Sequence, residues 1–178
     1  MPLTINADTT EWITVDEVKR HANITSSDSD EEIELMRDAA QDAVEGLIGP
    51  VLWRTVTQRI TANGSVLVLN TLPVVSVTSL TLDGSPATYT SVEGGMLTDV
   101  TVTGDVVATY VVGRTEVPGA VRLAALIIAA HLWQTQLGSA PTQLQDNFDT
   151  QPTVGVGYAI PNRAADLLAP YLLLPGVA

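Results

Sequence analysis

The amino-acid sequence predicts an α+β fold, namely a small helical bundle with an inserted antiparallel β subdomain. The first quarter of the chain is acidic, and its apolar residues recur with the period of a helix. The middle is rich in Val and Thr, whose branched side chains favour strands. The helical period then returns. We therefore expect a helical core over residues 13–50 and 114–178, a β subdomain over residues 51–113 and an N-terminal extension over residues 1–12.

The composition indicates a single domain, or one domain with a large insertion. The 178 residues are 46% hydrophobic and 16% charged, with a formal net charge of -12 and no cysteine. Such an acidic balance disfavours wrapping of nucleic acid and docking on anionic membranes, because both need clustered Lys and Arg. We recognise no signal sequence, no membrane span and no thiol chemistry, so a soluble intracellular protein is expected.

Two capping boxes predict the first two helices. The box over residues 14–17 opens a short helix that is expected to end near Ala22. The box over residues 29–32 opens a longer helix, which is expected to stop at Gly49-Pro50. Its apolar residues recur at steps of three and four, as on one buried helix face. That face comprises Ile33, Met36, Ala40, Ala43 or Val44, and Leu47.

The β subdomain is predicted from two local signals. Asn63-Gly64 is a favoured two-residue turn, which predicts a hairpin between residues 54 and 70. Further along, the apolar residues change parity at Thr78-Ser79, which predicts a β-bulge or bend.

The last part of the chain returns to helix. A helix over residues 118–137 is apolar on nearly all sides, so we expect it to be buried on several of them, one against a neighbouring subunit. A long loop over residues 139–160 follows, and loops of this length are often functional. A short helix is then expected from Asn162 to about Leu168.

The sequence offers no catalytic constellation. His21 and His131 have neither a nucleophile elbow nor metal-site spacing around them. The acids that open the second helix fail the pattern of a calcium loop, because position six is Ile33 rather than Gly and position twelve is Ala39. In the first helical turn these acids are stabilised by the helix dipole. We therefore expect no catalytic residues, no cofactor and no metal.

The order of the segments resembles phage head–tail connector proteins of the gp6-like adaptor, or head completion, family. The resemblance is carried by "ITVDEVKRHANI", "DEEIELMRDAAQDAVEGLIGPVLWRTVTQRI", "LPVVSVTSLTLDG", "YVVGRTEVPGAVRLAALIIAAHLWQTQ" and "DLLAPYLL". It covers roughly residues 12–173 and rests on pattern and order. In that family an Arg often follows the Tyr of the closing segment, whereas here Leu172 follows Tyr171.

The resemblance implies a structural adaptor of a tailed phage and not an enzyme. Its expected partners are further copies in a homo-oligomeric ring, often a dodecamer, the portal protein above it, and a stopper or tail-completion protein below. Viral DNA would pass through the ring without sequence-specific binding, and no membrane is involved. The implied location is the virion neck at the portal vertex, after assembly in the host cytoplasm. An acidic channel lining would let DNA slide, because a basic lining would hold its phosphates.

Two other classes stay open from the residues themselves. A non-enzymatic protein- or carbohydrate-binding module of a virion would use the Val/Thr-rich zone. Only Trp53, Tyr89 and Tyr110 are available there for stacking on a sugar. A small enzyme with an unrecognised site is the third class.

Interface residues are predicted on the acidic helix, the apolar helix, the long loop and the C-terminal stretch 161–174. The loop is expected to become ordered on contact with the portal, stopper or tail, and the stretch to pack on the helical core or a neighbour. Both could equally be ordinary surface and core. The residues chosen are Glu31, Glu34, Asp38, Glu45, Arg122, Asn147, Phe148, Tyr158 and Tyr171.

Overall fold

A computed structural model describes residues 4–6, 11–136 and 160–172 of the chain. The helices are α1 (Val15–Ala22), α2 (Asp30–Ile48), α3 (Gly119–Gln136) and α4 (Asn162–Leu168), which continues into a short 3₁₀ turn at Ala169–Tyr171. The strands are β1 (Thr4–Asn6), β2 (Arg54–Val68), β3 (Val74–Leu82), β4 (Ser85–Pro86), β5 (Ser91–Glu93) and β6 (Met96–Val112). The predicted α+β fold class is confirmed.

The chain divides into two compact units. The helical unit comprises Glu11–Ile48 and Val117–Ala178, and the β unit comprises Met1–Thr10 and Gly49–Glu116. Among the described helices, none combines the length and the apolar character needed to cross a membrane.

The helical unit is built around α3, which contacts α1, α2 and α4. Its buried side chains are Val121, Ala124, Ala125, Ile128, Ala129, Ala130 and Trp133. Small alanines on several sides let neighbouring helices approach closely, and close packing of this kind makes a core sensitive to volume changes. The prediction that this helix is buried on several sides is confirmed, and helices of the same chain provide the covering contacts.

The capping box of α1 forms as predicted. The backbone N–H of Glu17 donates to Thr14 Oγ1 at 3.2 Å, and the backbone N–H of Thr14 donates to Glu17 Oε2 at 2.8 Å. These two bonds satisfy N–H groups that have no partner inside the helix. Helix α1 ends at Ala22, with Asn23 in the left-handed conformation after it. The capping box and the left-handed Asn23 therefore fix where α1 begins and where it ends.

Helix α2 also has the predicted bounds but not quite the predicted face. It begins directly after Ser29 and ends before Gly49, whose φ of 72° is readily adopted by glycine. Met36 and Leu47 are only half-buried. The buried residues are Ile33, Arg37, Ala40, Gln41, Val44 and Ile48, so the sequence pattern missed two polar members of the face.

The β unit is an antiparallel sheet in the order β1-β2-β6-β3-β4, with β5 also paired to β6. Strands β2 and β6 are its long central pair, running from Arg54↔Val112 to Val68↔Met96. One face of the sheet forms the core of the unit. Its buried residues are Val56, Leu67, Leu69, Leu80, Leu97, Val106, Ala108, Tyr110 and Val112.

The hairpin predicted at Asn63-Gly64 is wrong, since β2 continues through this dipeptide as one strand of 15 residues. Gly64 has a φ of 143°, and the register against β6 shifts between Gly64 and Val66. The parity of inward-facing side chains changes at the same place, because Val56 is buried before it and Leu67 after it. The glycine therefore lets the strand kink and exchange faces, and long-range pairing with β6 overrides the local turn signal.

The bulge predicted at Thr78-Ser79 is confirmed. Val77 pairs with Tyr110 and Ser79 with Thr109, so Thr78 is the extra residue on β3. A second shift lies between Val74 and Ser76.

Candidate functional site

The acidic face of α2 is organised around Arg37. The Nη2 atom of Arg37 lies 2.8 Å from Asp38 Oδ1, 3.1 Å from Glu34 Oε1 and 3.2 Å from Glu11 Oε1. The Arg37 side chain is only 6% exposed, whereas the three carboxylates are about half exposed. Burial opposes the charged guanidinium, but hydrogen bonding and attraction from Asp38, Glu11 and Glu34 outweigh it and raise the pKa of Arg37.

Gln41, one turn beyond Arg37, holds the segment that precedes α1. Its Oε1 accepts the backbone N–H of Trp12 at 2.8 Å and that of Ile13 at 3.2 Å. Trp12 and Ile13 are themselves buried. The polar residues inside the α2 face therefore anchor residues 11–13 to the helix. In the sequence, the only signal for this role was the position of Arg37 and Gln41 within the apolar face of α2.

The start of α2 is tied to α1 by a second ion pair. Lys19 Nζ lies 2.6 Å from Asp30 Oδ1, and the Lys19 side chain is only 15% exposed. A groove of about 400 Å³ separates the first turns of the two helices. It is lined by Thr14, Val15, Asp16, Asp30, Glu31, Glu34 and Arg37.

The four predicted interface acids of α2 thus have different environments. Glu34 and Asp38 pair with Arg37, so they contribute to the fold of the helical unit. Glu31 is exposed at the groove, and Glu45 is half-buried. Charge reversal at Glu34 or Asp38 would mix a change in assembly with the loss of an internal ion pair. Glu31 is the cleaner position at which to probe an interface.

Arg122, predicted at an interface, joins α3 to α1. Its Nη1 lies 2.6 Å from Glu17 Oε1, with the Arg122 side chain 44% exposed. The backbone hydrogen bond from Thr14 is the main cause that lowers the pKa of Glu17, burial opposes it, and Arg122 lowers it further. Glu17 thereby serves both the cap of α1 and the packing of α1 on α3.

Glu17 predicts a pH-dependent contribution to stability. Because its pKa is lower in the folded chain than in the unfolded chain, the stabilisation is present at neutral pH and is lost as pH falls through the folded pKa. We expect Glu17→Gln to lower the melting temperature at neutral pH, with a difference from wild type that shrinks in acid. Thermal melts across the acidic range would check this. The exposed Glu116→Gln is the control, and a difference for Glu17→Gln that persists unchanged in acid would contradict the assignment.

The remaining predicted site residues lie near the C-terminus. Tyr171 is half-buried in the 3₁₀ turn after α4. Asn147, Phe148 and Tyr158 lie outside the described residues, as does the predicted loop except for Ile160. Within the described ranges, no group of three or more His, Cys, Asp or Glu side chains is placed to hold a metal ion.

The family model described as "Head completion protein" matches residues 11–142, which is most of the chain. The chain belongs to the head completion protein family. The resemblance to phage head–tail connectors seen in the segment order is thereby confirmed. The matched region begins at Glu11, the residue with which the helical unit begins, and includes the whole of the Arg37 cluster.

One solved structure has the fold of this head completion protein over its full length. It is a chain described as belonging to the "Neck of empty GTA particle computed with C6 symmetry". The TM-score is 0.66 at 17% sequence identity, with 100% of this chain and 98% of that chain covered. Comparison with curated protein sequences gives no match.

Proposed function

We propose that this head completion protein is a structural head-to-tail adaptor of a tailed bacteriophage. It forms a ring under the portal protein, extends the DNA channel and docks the stopper or tail. The family match over residues 11–142 carries the proposal. The full-length likeness to a chain from a particle neck, whose structure was computed with C6 symmetry, supports a symmetric ring in the neck. In this role the protein binds no cofactor and catalyses no reaction.

The charge of the helical unit suits such a channel. Its first segment, residues 11–48, holds 11 acids against three basic residues, and one of those three, Arg37, is enclosed by carboxylates. Exposed acids such as Glu31 and Asp42 therefore give the solvent-exposed face of α2 a negative charge. Their repulsion of phosphates would let DNA pass without being held. We assign the acidic face of α2 to the channel on this ground.

The observations favour an adaptor over a carbohydrate-binding module. Of the three aromatic residues in the β unit, Tyr110 is fully buried, and its hydroxyl donates to Gln58 Oε1 at 2.7 Å. Only Trp53 and Tyr89 are exposed to solvent. Stacking on a sugar needs an accessible aromatic face. Tyr110 is therefore excluded as a sugar-stacking residue.

Direct imaging of assembly tests the proposal. The purified protein, alone and mixed with the portal protein of its own phage, is expected to form rings or to add a collar of density to portal rings. Negative-stain electron microscopy and light scattering would measure this, with an unrelated portal protein as the control mixture. A chain that stays monomeric alone and on its own portal would overturn the adaptor assignment.

A further inference from the structure

The sheet of the β unit has two open edges. On its outer side, away from β6, β2 is paired by β1 only at residues 55–57. The outer side of β3 is paired by β4 only at residues 81–82. In the described part of the chain, residues 58–68 and 74–79 therefore have no strand on their outer side. Among the described strands, the outward N–H and C=O groups of these residues have no ladder partner, which is the condition in which an edge pairs with another strand.

Apart from the exposed Arg59 on β2, both open edges lack the charges that normally protect such strands. No Asp, Glu, Lys or Arg occurs between Arg59 and Asp83, a run that contains most of the β2 edge and the whole of the β3 edge. Native proteins usually place Lys or other charged residues on a free edge, because an uncharged edge pairs with other chains. An edge without charges is therefore typical of one that is covered in the assembled state.

Exposed apolar side chains accompany the open edges. Val66 and Val68 on β2 are 48% and 54% exposed, and Met96, the cross-strand partner of Val68, is 46% exposed. On β3, Val75 is 46% exposed. These four are half of the large apolar residues found exposed in the described chain. Each edge thus offers apolar contact area beside its free backbone groups.

We propose that the two edges pair with each other between copies of this chain. The open edge of β2 in one protomer would continue its sheet into the open edge of β3 in the next, with Val66 and Val68 beside the neighbour's apolar residues. Backbone hydrogen bonds would supply affinity and the alternating side chains would fix the register. This inference rests on the ring of the proposed function and names the contact that builds it.

Head-to-tail pairing of a β2 edge with a neighbour's β3 edge fits this sheet better than two-fold pairing of two identical edges. The strand order places the β2 and β3 edges on opposite sides of β6. A copy that uses one edge to bind its neighbour therefore keeps the other edge open for a third copy. Head-to-tail contacts of this kind form a ring when the rotation from copy to copy closes, whereas pairing of β2 with β2 would stop at a dimer. Two different edges on one chain meet the requirement of a ring for two distinct contact surfaces on each copy.

Cysteine cross-linking tests this pairing directly, because the natural chain contains no cysteine. Ser65 on β2 and Ser76 on β3 are both exposed. The double variant S65C and S76C, assembled alone or on the portal and treated with a short bismaleimide, is expected to give a ladder of covalent multimers. Each single variant is expected to give none. Denaturing gels would read the ladder, and circular dichroism would verify that the variants are folded.

The outcomes separate this inference from the proposed function. Rings that form with the double variant but give no ladder would overturn edge pairing and leave the adaptor assignment intact. Dimers from S65C alone would replace head-to-tail pairing by a two-fold contact. If the wild type forms no ring under either condition, both proposals fail together.

A charge placed on the edge gives an independent test. Val68→Lys is expected to lower the fraction of assembled protein by at least about tenfold, because a charged Lys on a free edge opposes pairing with another strand. Leu35→Lys is the matched control, since Leu35 is 66% exposed on α2 in the helical unit. Equal assembly of folded Val68→Lys and wild type by light scattering would count against the β2 edge.

Discussion

Replacement of Gly113 by Ala is expected to destabilise the β unit by about 3 kcal/mol or more. Gly113 has a φ of 100°, a conformation that L residues rarely adopt. An added Cβ would also collide with the carbonyl group of Leu52 and lie 3.0 Å from the backbone nitrogen of Trp53. Backbone atoms cannot move aside as a flexible side chain can, so strain and overlap add.

The position of Gly113 explains why this region cannot relax. Its backbone N–H donates to the Pro73 carbonyl at 3.0 Å, and the next N–H, of Arg114, donates to the Val51 carbonyl at 3.0 Å. The end of β6 is thus held on two sides by the segments that lead into β2 and β3. Displacing the chain at Gly113 would break bonds on both sides, and buried groups that lose partners are expensive.

Gly46→Ala is the matched control for this prediction. Gly46 lies within α2, and a Cβ there would meet nothing within 4 Å. Ala is favoured over Gly inside a helix by about 0.5–1 kcal/mol, so this variant is expected to be slightly more stable than wild type. Urea unfolding followed by circular dichroism would compare the two. A Gly113→Ala protein as stable as wild type would show that the close approach to Leu52 is not a constraint.

Much of the fold follows from local signals in the sequence. The capping box at Thr14, the stop at Gly49 and the parity change at Thr78 each act through a few neighbouring residues, so each could be recognised without knowledge of the fold. The apolar α3 was equally visible, because its burial on several sides follows from composition alone.

The sequence misleads where distant partners decide the outcome. Asn63-Gly64 carries a strong hairpin signal, yet Gly64 pairs with Val102 on β6 and the strand continues. Pairing over the length of β6 buries a whole strand face, which outweighs the preference of one dipeptide for a turn. Arg37 and Gln41 were missed for the same reason. Their partners include Glu11, Trp12 and Ile13, which lie far from them in sequence.

The function is carried by surfaces, which sequence patterns describe poorly. The acidic α2 face looks uniform in the sequence, but two of its predicted interface residues, Glu34 and Asp38, hold Arg37 within the chain. The two edges of the β unit became visible only when the strand order was known. An assembly protein has no reacting atoms whose spacing a motif must preserve, so its sites must be found from exposure, charge and open hydrogen-bonding groups.

Removal of the Arg37 side chain is the second large effect that we expect. Arg37→Ala leaves Glu11, Glu34 and Asp38 close together without their shared cation and opens a gap in a buried face. Breaking a fully buried ion pair costs about 3–5 kcal/mol, but these carboxylates are half exposed and water screens them. We therefore expect a loss of about 2–3 kcal/mol in the free energy of unfolding.

Two controls separate the charge of Arg37 from its packing. Arg20→Ala removes an exposed arginine of α1 whose Nε only reaches the Asp16 carbonyl at 3.4 Å, so it is expected to change stability by less than about 0.5 kcal/mol. Arg37→Met keeps much of the buried stem while removing the guanidinium. If the cluster acts through charge, Arg37→Met stays well below wild type in urea unfolding at neutral pH. If Arg37→Met matches wild type at neutral pH, packing alone explains the site, and Glu34 and Asp38 are not needed as partners of a buried charge.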